Sequence, residues 1–257
     1  MSPGRPGMPD RPVDPLEAAP LPRSFFDRPA LELAPLLLGC VLVGRGVALR
    51  ITEVEAYLGE LDPGSHAYRG RTARNATMFG PPGHLYVYRH MGLHACMNIV
   101  ADAEGTATGC LIRGGEVIAG QELAFERRRA SGVCRSARDL ARGPGRATVT
   151  CGVTVADDGL DLCAGGELHL TGRLEPRDRT DTEHHADPAP PSDAGHRATA
   201  SRDQVPITPH PRLAVGPRIG LREEASHPEH FPWRFRIAGE PTVSGPASLN
   251  DEKTFGC

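Results

Sequence analysis

The stretch VALRITEVEAY at residues 47–57 decides how this chain folds. Val47, Leu49 and Ile51 alternate with Ala48, Arg50 and Thr52, the period-two pattern of a strand. Continuing that period places Glu53, Glu55 and Tyr57 on the same side as the aliphatics. An inward face that ends in two carboxylates either bulges there or opens into a cleft. Upstream, Gly44-Arg45-Gly46 joins this strand to a shorter one over 40–43, so the two read as a hairpin.

Working outward, Asp27 and Pro29 mark the start of a helix whose apolar positions, Leu31, Leu33, Leu36 and Leu37, run up to Gly39. Further strands are predicted over 84–88 and 96–100, with a short one over 110–113 followed by Gly114-Gly115. Residues 116–130 have helical composition. The segment 147–155 is ambiguous: its β-branched alternation favours a strand, whereas Gly143-Pro144-Gly145 can equally introduce a helix at Arg146. Strands are predicted again over 166–173 and 233–237. Residues 1–20 read as a disordered leader, 176–210 as a flexible insertion and 246–257 as a loose tail. The remaining 21–245 form a single domain. Hairpin-joined strands with helices set among them, rather than alternating regularly, indicate the α+β class.

A chain of 257 residues, 39% of them hydrophobic, suits one sizeable globular domain. Its longest apolar stretch, 36–43, is far short of a membrane span. The first 23 residues, rich in Pro, Arg and Asp, do not read as a secretory leader. The seven cysteines are scattered without a C-x-x-C pair. That argues against a disulfide framework or a cysteine zinc site and fits a reducing cytoplasm. The net charge of −3 hides an asymmetry. Between Pro63 and Ala101 there is no acid, while Arg69, Arg71, Arg74 and Arg89 lie there with four histidines. Eight arginines face four acids over 105–146, with Arg127-Arg128-Arg129 the densest point. A locally positive face can hold phosphates because screening limits remote charges to about 8–10 Å.

Three clusters carry residues suited to chemistry: Glu53-Val54-Glu55-Ala56-Tyr57 with His66 beyond it; Arg74-Asn75 with Met78-Phe79-Gly80; and Leu85-Tyr86-Val87-Tyr88 with Cys96-Met97-Asn98-Ile99 and Arg113. Three of the four tyrosines fall at 57, 86 and 88, which suggests a platform for a flat ligand. His90 and His94 have i, i+4 spacing, yet Met91 stands where a zinc hydrolase needs a glutamate, so no metal site is expected.

In this order the clusters resemble the alkyladenine (3-methyladenine) DNA glycosylase family. The likeness continues through Gly143-Pro144-Gly145-Arg146, Asp158-Gly159-Leu160-Asp161-Leu162, Pro217-Arg218-Ile219-Gly220 and Pro232-Trp233-Arg234-Phe235. It implies a single domain with a curved, mainly antiparallel sheet and surrounding helices. It also implies a monofunctional enzyme that flips damaged purines from double-stranded DNA and hydrolyses the N-glycosidic bond. By position, Glu55 would activate water, Arg113 would hold that carboxylate, and Tyr57, His66 and Tyr88 would sandwich the base. Asn98 would exclude guanine, and Tyr86 would support the wall. The position matching the family's stack-filling wedge, usually Tyr, is Met91. Arg69, Arg71, Arg74 and Arg146 would contact the DNA backbone.

The only lysine, Lys253, lies in the predicted tail, so a Schiff-base lyase step is not expected. No organic cofactor is implied, and a monomer associated with DNA in the cytoplasm is expected. A non-catalytic binder of damaged DNA on the same fold and a purine nucleoside hydrolase are the alternatives. Glu55 with Arg113 speaks against the first, and the basic stretch over 63–146 against the second.

Overall fold

The computed structural model describes residues 14–174 and 207–246. Most of the predicted leader, most of the predicted insertion and the tail with Lys253 lie outside these residues. A helix, α1 (Ala30–Leu37), is followed by the hairpin β1 (Cys40–Gly44) and β2 (Val47–Tyr57). Then come β3 (Leu85–His90), β4 (His94–Ala101) and β5 (Thr108–Ala119). The helices α2 (Gln121–Ser131) and α3 (Pro144–Thr150) flank a two-residue strand, β6 (Ala141–Arg142). β7 (Leu168–Arg173), β8 (Leu213–Gly216), the short α4 (Glu223–Ser226) and β9 (Arg234–Ile237) complete the chain. The strands form one sheet in the order β3-β4-β5-β2-β1-β7, with β6 on β5 and β9 bridging β2 and β8. Every pairing among the described residues is antiparallel. This is the α+β single domain expected.

The sequence of β2 is resolved by a bulge. Ile51 pairs with Gly115 and Glu53 with Gly114, so Thr52 is an extra residue on β2. Val54 then pairs with Ile112, which makes Arg113 an extra residue on β5. The first insertion inverts the pleat of β2. Val47, Leu49 and Ile51 lie in the main core before it, and Val54 and Ala56 after it. Glu55 and Tyr57 are thereby moved to the other face.

Two predicted boundaries are corrected. The strand that starts near Cys110 does not stop at Gly114-Gly115 but runs on to Ala119, where helix was expected. A Cβ on Gly114 would lie 2.8 Å from the Thr242 carbonyl, and one on Gly115 2.7 Å from the Leu49 side chain. These glycines permit close packing inside a strand rather than ending it. The actual break is Gly120, left-handed at φ 74°, where a Cβ would overlap the Gly46 carbonyl. The ambiguous 147–155 segment begins within α3, which starts at Pro144 in its first turn. β8 had no counterpart in the sequence reading.

Candidate active site

On the face opposite the main core, four neighbouring strands present one row of side chains. Tyr86 pairs with Asn98, Asn98 with Leu111, and Leu111 with Glu55. Tyr88, Cys96 and Arg113 follow one pleat along, and Tyr57 flanks Glu55 on the other side. The residues between them on each strand, among them Leu85, Val87, Met97, Ile99, Cys110 and Ile112, are buried in the core. Every member of the row but Glu55 lines a cavity of about 230 Å³ that Ser65, His66, Met78, Pro144 and Ile219–Leu221 also enclose. Glu55 lies behind that wall, beside its lining residues Tyr57, Arg113 and Ile219.

Glu55 is fully buried. Its Oε2 accepts from the Tyr57 hydroxyl at 2.9 Å and from Arg113 Nη1 at 3.2 Å. Its Oε1 accepts from the Ile219 backbone N–H at 2.7 Å. The carbonyl of the same Ile219 lies 3.5 Å from Arg113 Nη1. The backbone of one residue therefore reaches both members of the Glu55–Arg113 pair, its N–H the carboxylate and its carbonyl the guanidinium.

Behind this pair sits a second carboxylate, Glu53. It accepts from Arg234 Nε at 2.6 Å and from the Ser244 N–H at 2.6 Å, with Arg113 Nε 3.3 Å away. Burial alone would raise the Glu53 pKa, but Arg234, Arg113 and the Ser244 amide outweigh it and hold the group below its ordinary range. Burial opposes the charge of Arg113 too, and Glu55 and Glu53 reverse that, raising its pKa. Arg113 is thus a cation clamped between two carboxylates.

The aromatic wall is built on β3. Tyr86 and Tyr88 stack at 5.6 Å between centroids, and His66 meets Tyr88 edge to face at 4.3 Å. His66 Nδ1 lies 3.2 Å from the Tyr86 hydroxyl. Burial pushes the Tyr86 hydroxyl up to about 12 and also raises Tyr88. Burial, Arg74 and His90 lower the His66 pKa, so its imidazole is neutral near pH 7. Asn75 fixes the backbone carrying His66, donating to the carbonyls of His66 and Gly70 at 3.0 Å each. Asn98 donates to the Tyr86 carbonyl at 3.2 Å and faces the cavity.

The remaining predicted residues lie on the surface. Met91 is 81% exposed at the tip of the β3–β4 hairpin and left-handed at φ 48°, with Leu93 beside it 74% exposed. His90 and His94 pair across this hairpin. Arg69, Arg71, Arg74 and Arg146 are exposed. Arg74 donates to the Arg89 carbonyl on β3 at 3.1 Å, and Arg146 follows the cavity-lining Pro144 on α3. The Arg127–Arg129 run serves a different purpose. Arg127 donates to the carbonyls of Thr150 and Arg45, Arg128 to that of Leu140, and Arg129 lies over the Phe125 ring. Sequence reasoning gave no role to Glu53, Arg218, Ile219 or Ser244. The first three lay inside quoted motifs, and Ser244 had no signal at all.

The sequence profile of the family described as Methylpurine-DNA glycosylase matches residues 24–188. A protein from Streptomyces avermitilis, provisionally named 3-methyladenine DNA glycosylase, is 44% identical over 234 residues, covering 89% of this chain and 92% of its own. Relatives of the same provisional name come from Burkholderia lata and Leifsonia xyli. Each is 44% identical; they cover 90% and 86% of this chain, and 93% and 90% of their own.

Proposed function

Because this chain belongs to the methylpurine-DNA glycosylase family, we infer that it hydrolyses the N-glycosidic bond of damaged purines flipped out of duplex DNA. The observation that carries this reading is the Glu55–Arg113 pair, joined by the Ile219 backbone beside an aromatic-lined cavity. In this mechanism Glu55 takes a proton from a water as its oxygen bonds to C1′ of the sugar. The bond from C1′ to the base nitrogen breaks, and its electron pair leaves with the base. The carboxylate also stabilises the positive charge that develops on the sugar. An N3- or N7-alkylated purine leaves as a neutral base and needs no proton, whereas hypoxanthine or ethenoadenine leaves as an anion and takes up a proton from solvent.

Recognition is assigned to the surrounding side chains. Tyr57, His66 and Tyr88 hold the extruded base by its faces, and a neutral His66 does not repel a cationic lesion. Asn98 meets the exocyclic amino group of guanine and disfavours it. Met91 fills the vacated stack, a role that an exposed apolar side chain on a hairpin tip suits. 3-Methyladenine, 7-methylguanine, hypoxanthine and ethenoadenine are the candidate substrates. Hydrolysis proceeds without an amine nucleophile, so the abasic strand stays intact.

The test is single-turnover base release from duplexes carrying hypoxanthine, ethenoadenine or 7-methylguanine, resolved on gels run without alkali. Free base with an uncut abasic strand is expected. A Glu55→Gln variant is expected to bind these duplexes and release nothing, because the amide keeps the shape but takes no proton. Tight binding without release by the unaltered chain would point to a non-catalytic damage binder. Release from free nucleosides but not from duplexes would point to a nucleoside hydrolase.

A further inference from the structure

Three donors orient Glu55: the Tyr57 hydroxyl, Arg113 Nη1 and the Ile219 amide. Arg218 touches the first and carries the third. Its guanidinium carbon lies 4.6 Å from the centroid of the Tyr57 ring and 5.0 Å from that of Trp233. Its Nη1 donates at 3.0 Å to the carbonyl of Ala56, the residue before Tyr57. Ile219 is its immediate neighbour in the chain.

The guanidinium is itself held from outside the site. Its two terminal nitrogens donate to Asp62 at 2.6 and 2.7 Å, and Nη2 also reaches the Ala225 carbonyl at 2.7 Å. Asp62 in turn accepts from the amides of Leu58 and Gly64. Both side chains of this ion pair are fully buried.

Such a pair is a poor source of stability. Desolvating two charges offsets most of their attraction, and an apolar pair of similar volume is often as stable. Arg218 Nε is also buried without a hydrogen-bond partner, which costs further. What the pair does supply is a rigid, planar support fixed at four points. The cation also acts against burial and Glu55, which raise the Tyr57 pKa, and so strengthens that hydroxyl as a donor.

We propose that Arg218 is a positioning residue for the glycosylase reaction, setting the Tyr57 hydroxyl and the Ile219 amide that aim Glu55. The role rests on the reading of Glu55 as the general base. It is tested with Arg218→Lys, which keeps a cation beside Asp62 but loses the planar stack and the bidentate contact. Single-turnover base release is expected to fall at least about tenfold, with lesion-duplex affinity within about twofold of the unaltered chain. In a Tyr57→Phe background the same substitution should cost at most about a third as much, because part of its effect runs through that hydroxyl.

An unchanged rate, a rate loss matched by lost affinity, or losses that multiply in full would each overturn the role. If Arg218→Lys fails to fold, the double variant Arg218→Met/Asp62→Asn removes both charges together and is judged by the same criteria. Failure of the underlying reading looks different. There the unaltered chain and Glu55→Gln behave alike, with no base released by either, and the role of Arg218 falls with it.

Discussion

Tyr57 and Glu53 show how much of this site depends on side chains that need not touch the reacting atoms. The Tyr57 hydroxyl donates to Glu55, and burial followed by the Glu55 charge raises its pKa, so it stays protonated as a donor. Tyr57→Phe removes one hydrogen bond to a charged group, worth about 1.5 kcal/mol, so single-turnover base release should slow about tenfold. Glu53 is held below the ordinary carboxyl range by Arg234 and Arg113 against the opposing effect of burial. A depressed folded pKa adds stability above the unfolded value of about 4.3 and loses it as pH falls through the lower one. Glu53→Gln should therefore cost roughly 3–5 kcal/mol in urea melts at neutral pH, with the deficit shrinking below about pH 4. At this scale the sequence was most legible where chemistry needs a particular residue type: a carboxylate, an arginine, a cluster of tyrosines. Ile219 was illegible because it acts through its backbone N–H and carbonyl, which any residue but proline supplies.

Elements were legible where periodicity was uninterrupted and illegible where a glycine had two readings. Gly114-Gly115 looks like the end of a strand, yet its meaning is set by Thr242 and Leu49, both remote in sequence. Gly120 is the opposite case, since its left-handed backbone and contact with Gly46 leave no room for a side chain. Gly120→Ala should destabilise the protein by more than about 2 kcal/mol, measured by thermal or urea unfolding. The pleat inversion in β2 was visible only as a dilemma, carboxylates on an inward face. The choice between bulge and cleft depended on β5, which pairs with it. At the tip of the β3–β4 hairpin, Met91 adopts a left-handed conformation uncommon for a residue with a side chain. If it fills the stack, Met91→Tyr adds an aromatic face worth about 1 kcal/mol, and affinity for abasic product should tighten about fivefold. Unchanged affinity would remove the wedge role.

For the molecule as a whole, net charge is a poor guide to its partner. The chain carries −3, yet the exposed Arg69, Arg71, Arg74 and Arg146 lie in the stretches that also supply the hairpin and the cavity wall. If all four meet phosphates, the logarithm of affinity should fall against the logarithm of salt with a slope of about −3.6. Replacing Arg69 and Arg71 with Gln should bring it to about −1.8, read from titrations at several salt concentrations. Among the described residues no helix is long and apolar enough to cross a membrane. The division of labour along the four site-bearing strands has a further consequence. Apolar core residues and cavity-lining residues occupy alternate positions of the same backbone, and each set faces away from the other. If this cavity takes the damaged base, mutation can reshape it at lining positions such as Cys96 or Leu111 while the neighbouring core letters stay untouched. On that condition, a lineage of such proteins could drift in what it repairs without first having to survive the loss of its apolar core.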